Sequence, residues 1–160
     1  MPLIASRAAV EPRMPALQPA ADASSVVREW VGKLPTDRRN PEVAAAQNAR
    51  VRSNLWLTTA QWPGPVERAT AIVHHLVRNA VRHGSAGSDQ VVELRLAITQ
   101  PGALLIEVAD SLSQFAGFDA ATCSRGGLHK AQRLGAVLAW FPTPTGKTVQ
   151  ARIPAPTVQS

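Results

Sequence analysis

The sequence predicts an α+β fold: a two-layer sandwich with a mixed, mainly antiparallel sheet covered on one face by helices. Three observations carry this. The stretch IVHHLVRNAVRHG, residues 72–84, spaces Ile72, Val73, Leu76, Val77, Ala80 and Val81 by threes and fours, which gives a helix one buried stripe. After residue 90 the period changes to two. Val92, Leu94, Leu96 and Ile98 share one side, as do Leu104, Ile106 and Val108 beyond a QPGA turn, so two strands form a hairpin with one strongly apolar face. Such a face needs helices to cover it. Finally, Trp62-Pro63-Gly64-Pro65 is a hard break that divides the helical half of the chain in two.

The elements follow in order. Residues 1–21 carry Pro2, Pro12, Pro15 and Pro19 among alanines and are expected to be a disordered tail. Residues 22–40 are expected to form a helix and a loop. Asp22 or Ser24 would cap that helix, and Val27, Trp30, Val31 and Leu34 would line its apolar side. Asn40 as cap and Pro41 in the first turn start a second helix, to about Ala60, buried through Val43, Ala46, Val51, Leu55 and Trp56. Pro65 opens the central helix, which ends near His83 with Gly84 as its terminator. The hairpin follows, and its second strand ends at Asp110. Residues 111–125 show no period, and a loop of that length suits a lid or binding loop. Gly126-Gly127 precede a short helix from Leu128 to about Leu134, then a strand near Ala136–Phe141, a PTPTG turn, and a last strand, KTVQARI. The main domain is thus expected over residues 41–154, with 155–160 as a tail.

Composition bounds the function. The chain has 160 residues, 45% of them hydrophobic, enough for one domain with a real core. No apolar run approaches the ~18 residues that span a bilayer. Arg7, Glu11 and Arg13 interrupt any secretory signal pattern, so a cytoplasmic location is expected and no membrane partner. The single cysteine, Cys123, excludes an internal disulfide and has no activating pattern around it. The net charge of +6 admits acidic partners, but the basic residues are scattered, only Arg38-Arg39 are dense, and Tyr is absent. That argues against nucleic acid and leaves solubility plus attraction to an acidic protein or a nucleotide.

A polar line runs beside the apolar stripe of the central helix. His75, Asn79 and His83 are four residues apart, with Glu67 two turns earlier. An Asn inside a helix costs roughly 0.5 kcal/mol relative to Ala. It reads either as part of a solvated face or as an amide oxygen offered to a ligand or metal. The histidines lack zinc-motif spacing, GKT opens a strand instead of a helix and is no Walker A, and no serine sits in a nucleophile elbow.

Four features therefore stand in a fixed order: a helix with a central Asn, a strand ending in Asp, a glycine pair before a helix, and Gly-Lys-Thr before the final strand. Over about residues 45–154 this order resembles the GHKL ATPase superfamily, with its histidine kinase-like ATPase fold, and within it the anti-sigma-factor serine kinases. LVRNAVRHG resembles the family's N box, LLIEVADS its first glycine-box strand, RGGL its second glycine box, and GKTVQARI its closing strand.

The resemblance implies ATP and Mg²⁺ as cofactors. It implies that Asn79 helps hold Mg²⁺, a hard cation that prefers oxygen ligands. It implies that Asp110 accepts a hydrogen bond from the adenine amino group. Gly126, Gly127 and the start of the Leu128 helix would bring backbone N–H groups to the phosphates. Thr148 would lie under the adenine or phosphate end of the pocket. His83 matches a position usually filled by His, and Arg82 and Arg125 would stand near the phosphates.

The chain departs from the family at chosen points. The family's general-base Glu, four residues before the Asn, is His75 here; histidine can also act as a base. Asp110 is followed by Ser111, Leu112 and Ser113 where glycines are usual, and Arg125 stands where a Gly is common. Two functions from different classes follow. One is an ATP-dependent serine/threonine kinase of the anti-sigma type, regulating transcription through a sigma factor or an antagonist protein. The other is a degenerate GHKL module that acts by protein contact with weak or no nucleotide binding. Residues 22–40 lie outside the family's minimal domain and are available to pack on the sheet or to form a homodimer or partner surface.

Overall fold

A computed structural model describes residues 26–35, 39–83, 91–100, 102–111 and 126–157 of the chain. It is an α+β two-layer sandwich. Its strands are β1 (Val26–Leu34), β2 (Val92–Thr99), β3 (Leu104–Asp110), β4 (Val137–Thr143) and β5 (Gly146–Ile153). Its helices are α1 (Pro41–Thr59), α2 (Val66–His83) and α3 (Gly127–Arg133). The five-stranded sheet has the order β1-β2-β3-β5-β4. Every pairing among the described residues is antiparallel, so the expected parallel component is not found there.

The first correction is β1. The segment expected to be a helix is a strand, paired with β2 from Val26 opposite Thr99 to Leu34 opposite Val92. Val27, Trp30, Val31 and Leu34 fit helical spacing, but Arg28, Trp30, Gly32 and Leu34 also share one side of a strand. Val26, Val27 and Val31 are β-branched, Gly32 is a poor helix former, and pairing with β2 decides the outcome. Trp30 lies across Gly32, whose missing Cβ leaves room for the ring. The Arg52 guanidinium stacks on Trp30, 5.0 Å from the ring centroid, and donates to the Lys33 carbonyl at 3.1 Å. Residues 26–34 therefore belong to the same sheet as the expected domain.

The helices hold as expected in extent, with two changes of detail. Asn40 precedes α1, but its side chain makes no capping hydrogen bond; its carbonyl accepts from the Ala44 N–H at 3.0 Å. The buried side of α1 also differs. Ala45, Ala46, Ala49, Ser53 and Leu57 are inside, whereas Val51 and Leu55 are 69% and 68% exposed and Val43 is exposed too. Small side chains let α1 lie close on α2, and an alanine face carries little hydropathic signal.

Between these helices, Trp62 covers Gly64 and donates its Nε1–H to the Gly102 carbonyl at 2.9 Å, tying the helix break to the β2–β3 turn. In that turn Gly102 takes a φ of +112°, a region that glycine enters without steric cost.

The core lies between the helices and one sheet face. Ile72, Val73, Leu76 and Val77 of α2 meet Leu94, Leu96, Leu104, Ile106, Val108, Val149 and Ala151, with Leu57 from α1 and Leu128 from α3. The opposite face carries a polar ladder. Arg95 bonds Glu29 and Glu107 at 3.0 Å each, and Gln150 donates to Glu107 at 2.8 Å, so side chains link β1, β2, β3 and β5.

Candidate functional site

Strand parity sorts the expected site residues first. Val108 and Val149 face the helices, opposite each other on β3 and β5. Two residues toward the ends of these strands, Asp110 and Lys147 stand opposite each other on the same face. The Lys147 Nζ lies 2.8 Å from each Asp110 carboxylate oxygen, and the two side chains are 4% and 3% exposed. The carboxylate expected to read adenine is thus present on the helix side, bound by a buried ammonium that the sequence did not single out.

Gly146 sets this geometry. A Cβ there would fall within bonding distance of the Asp110 carbonyl oxygen and 2.8 Å from Ser111 Cα, so only glycine lets the strands pass at this point. The GKT motif therefore acts through Gly146 and Lys147.

Thr148 is a correction. Its cross-strand partners are Ala109 and Phe141, and strand alternation turns it to the face opposite Asp110. It is buried, on the sheet face turned away from the helices.

The glycine pair before α3 packs on the central helix α2. A Cβ on Gly127 would lie 3.3 Å from the His75 carbonyl oxygen and 3.7 Å from its Cβ, so the start of α3 rests directly on α2 at His75. Gly126 precedes α3 in an extended conformation, and its carbonyl accepts from the Lys130 N–H at 3.1 Å. Leu128 is buried in the core and anchors the helix through its side chain.

His75 and Asn79 are half-buried on α2. His75 stands edge-on to His74, ring centroids 5.6 Å apart. Burial, then the positive neighbours His74, Lys130, Arg78 and Arg50, lower its pKa from the ordinary imidazole value. His74 is lowered likewise, by burial first and then by Arg50 and Arg78. Both rings therefore favour the neutral form, in which a nitrogen can accept a proton.

Arg82 is not directed to an anion site. It bonds Glu42 of α1 at 3.3 and 3.1 Å, with Arg78 on the same carboxylate at 3.4 Å, and these cations hold the Glu42 pKa down. The pair joins α1 to α2. His83 closes α2, but its side chain, like Arg125 and residues 112–125, lies outside the described residues.

Among the described residues no group of three or more His, Cys, Asp or Glu side chains could hold a metal ion. Mg²⁺ carried with nucleotide phosphates is usually held through one or two carboxylates, whereas Asn79, the residue expected to help hold it, offers an amide oxygen. No helix among them is long and apolar enough to cross a membrane.

No protein-family model matches the chain, and no curated protein matches it. Among solved structures it is similar to the blue-light activated histidine kinase of Erythrobacter litoralis EL346, with 26% sequence identity and a TM-score of 0.47. The similarity covers 57% of this chain and 31% of that one, so the match spans less than a third of the kinase chain.

Proposed function

We propose that the chain is an ATP-binding regulatory module of the GHKL type, controlling a protein partner of the sigma-factor or antagonist kind. The observation that carries this reading is the carboxylate of Asp110, buried at the end of β3 on the helix face. Buried carboxylates are kept only with partners that hold their charge. The Gly127–His75 contact supports the reading, because it brings the second glycine box onto the N-box helix. Adenine would bind toward Asp110, and Asn79 would supply an oxygen to Mg²⁺ between the phosphates and α2. His75, held neutral, would accept the proton of an attacking hydroxyl or water if transfer occurs.

The second reading, a module that works by protein contact with weak or no nucleotide binding, is favoured by one observation. The Asp110 carboxylate already has a full counter-charge in Lys147, so the ion pair is complete without ligand.

Calorimetry with Mg-ATP decides between them, on the wild type and on Asp110→Asn and Asn79→Ala, each checked for native circular dichroism. Binding by the wild type that is lost in both folded variants supports the nucleotide reading. No heat from the wild type sinks it and supports the contact module. If ATP binds, His75→Glu tests the kinase: turnover gained marks a decayed enzyme.

A further inference from the structure

The two edges of the sheet are not alike. β4 lies at one edge and carries Pro142, which has no N–H to offer a further strand. β1 lies at the other, with nine residues and no proline. Among the described residues no strand pairs with the flank of β1 turned away from β2. Natural sheets normally shorten, charge or cover an edge of this length. β1 does carry charges, but their order is specific. Glu29, Val31 and Lys33 follow one another along the sheet face turned away from the helices, and all three are exposed. Val31 is 47% exposed although it is apolar. A negative, an apolar and a positive side chain thus stand at equal steps on an open edge, with Val31 in the middle.

We infer that β1 is an interface with a second copy of this chain, in which the two β1 strands pair antiparallel about a twofold axis at Val31. In that register Val31 stands opposite its own counterpart, and Glu29 of each copy stands opposite Lys33 of the other. Opposite charges facing each other across a strand pair attract, and like charges repel. Moving the axis to Glu29 or to Lys33 would set like charges against each other, so the charge order selects Val31. Arg95 takes one carboxylate oxygen of Glu29 at 3.0 Å, and the other oxygen serves the Lys33 across the axis. On the helix side the same register places Trp30 across from Gly32. Each Trp30 ring already lies over its own Gly32, so the two indoles come side by side with no other side chain between them. Joining the edges doubles the five-stranded sheet and closes the open flank of both copies. β2 separates this edge from Asp110 on β3, so the interface is independent of whether nucleotide binds.

Sedimentation equilibrium of the full chain over rising protein concentration tests this. The wild-type mass is expected to climb from 17.0 kDa toward twice that value. Strand pairing alone makes a small interface, so the association is expected to be reversible. Glu29→Lys sets lysines against lysines across the axis, and Lys33→Glu sets glutamates against glutamates. Each variant, native by circular dichroism, should dimerise about tenfold or more weakly, because two cross-strand pairs turn from attraction to repulsion. An equimolar mixture of the two variants should recover the dimer, since each copy then supplies the charge that the other lacks. A wild type that keeps the mass of one chain overturns the inference, whether the edge then serves a strand of another protein or none. Variants that dimerise as tightly as the wild type also overturn it, because the contact must then lie elsewhere. Folded variants that weaken singly and do not recover in the mixture overturn the register and the place of Val31 in it.

Discussion

Gly127 rests on the backbone of His75, so the start of α3 is seated on the middle of α2. An alanine at 127 would put its Cβ 3.3 Å from the His75 carbonyl oxygen, so α3 or the His75 turn would have to give by a few tenths of an ångström. The neighbourhood of His75 is also positive, with His74, Arg50, Arg78 and Lys130 all acting against its protonation.

The first expected outcome concerns pH. His74 and His75 have pKa values below the ordinary 6.5, so the unfolded chain binds protons that the folded chain refuses. Their contribution to stability is complete above 6.5 and is lost as pH falls from 6.5 through the lower folded values. Imidazole resonances followed by NMR should titrate below 6.5 in the folded protein, and His75→Gln should lessen the acid loss of stability. A folded-state midpoint for His75 at or above that value would contradict the assignment.

The second concerns the buried ion pair. Asp110→Ala leaves the Lys147 ammonium buried without its counter-charge, and Lys147→Ala does the converse. Each should cost about 3–5 kcal/mol in urea unfolding, whereas Asp110→Leu combined with Lys147→Met should recover most of the loss. Additive losses in the double variant would mean that the two side chains are not coupled.

The third concerns Gly146. Alanine there drives Cβ into the Asp110 carbonyl, which is backbone and cannot rotate away. Gly146→Ala should lower stability by about 1–3 kcal/mol, the usual range for overpacking. A thermal midpoint equal to wild type would show that the β3–β5 crossing is looser than described.

The fourth separates the two sides of α1. Leu57 is fully buried and Leu55, two residues away, is mostly exposed. Leu57→Ala should cost about 2–5 kcal/mol. Leu55→Ser should change stability by no more than about 0.5 kcal/mol, as surface substitutions do. Equal losses would put the helix in a different rotation.

These α1 residues also show what the sequence made legible. The central helix and the hairpin were readable because their apolar residues are large and strictly periodic. Helix α1 was readable in extent, from Pro41 and the break at Trp62-Pro63, but not in rotation. Its buried side is Ala45, Ala49, Ser53 and Leu57, which hydropathy scarcely distinguishes from the exposed side. Strand β1 was misread because VVREWVGKL satisfies both periods, and its partner β2 lies nearly sixty residues away in sequence.

The site shows the same division. Asp110 could be found as the end of an apolar strand, and Gly127 by its place before a helix. Lys147 could not, because its partner is 37 residues earlier and only the pairing of β3 with β5 brings them together. The same register sends Thr148 to the far face, and no local pattern announces that. The Gly-Lys-Thr that opens the last strand is the available signal for Lys147, and the register turns it into a contact.

The position of β5 between β3 and β4 has a consequence for how the protein is made. β2 and β3 can close as a hairpin soon after they leave the ribosome, but the flank of β3 that β5 occupies stays open. Four of its inward residues, Leu104, Ile106, Val108 and Asp110, wait for partners that end with Ile153. Meanwhile α1, α2 and α3 are already synthesised and have only part of their sheet to cover. Completion of the sheet therefore waits for β5. A chain stalled before β5 would present an open apolar strand flank to chaperones and to other nascent chains.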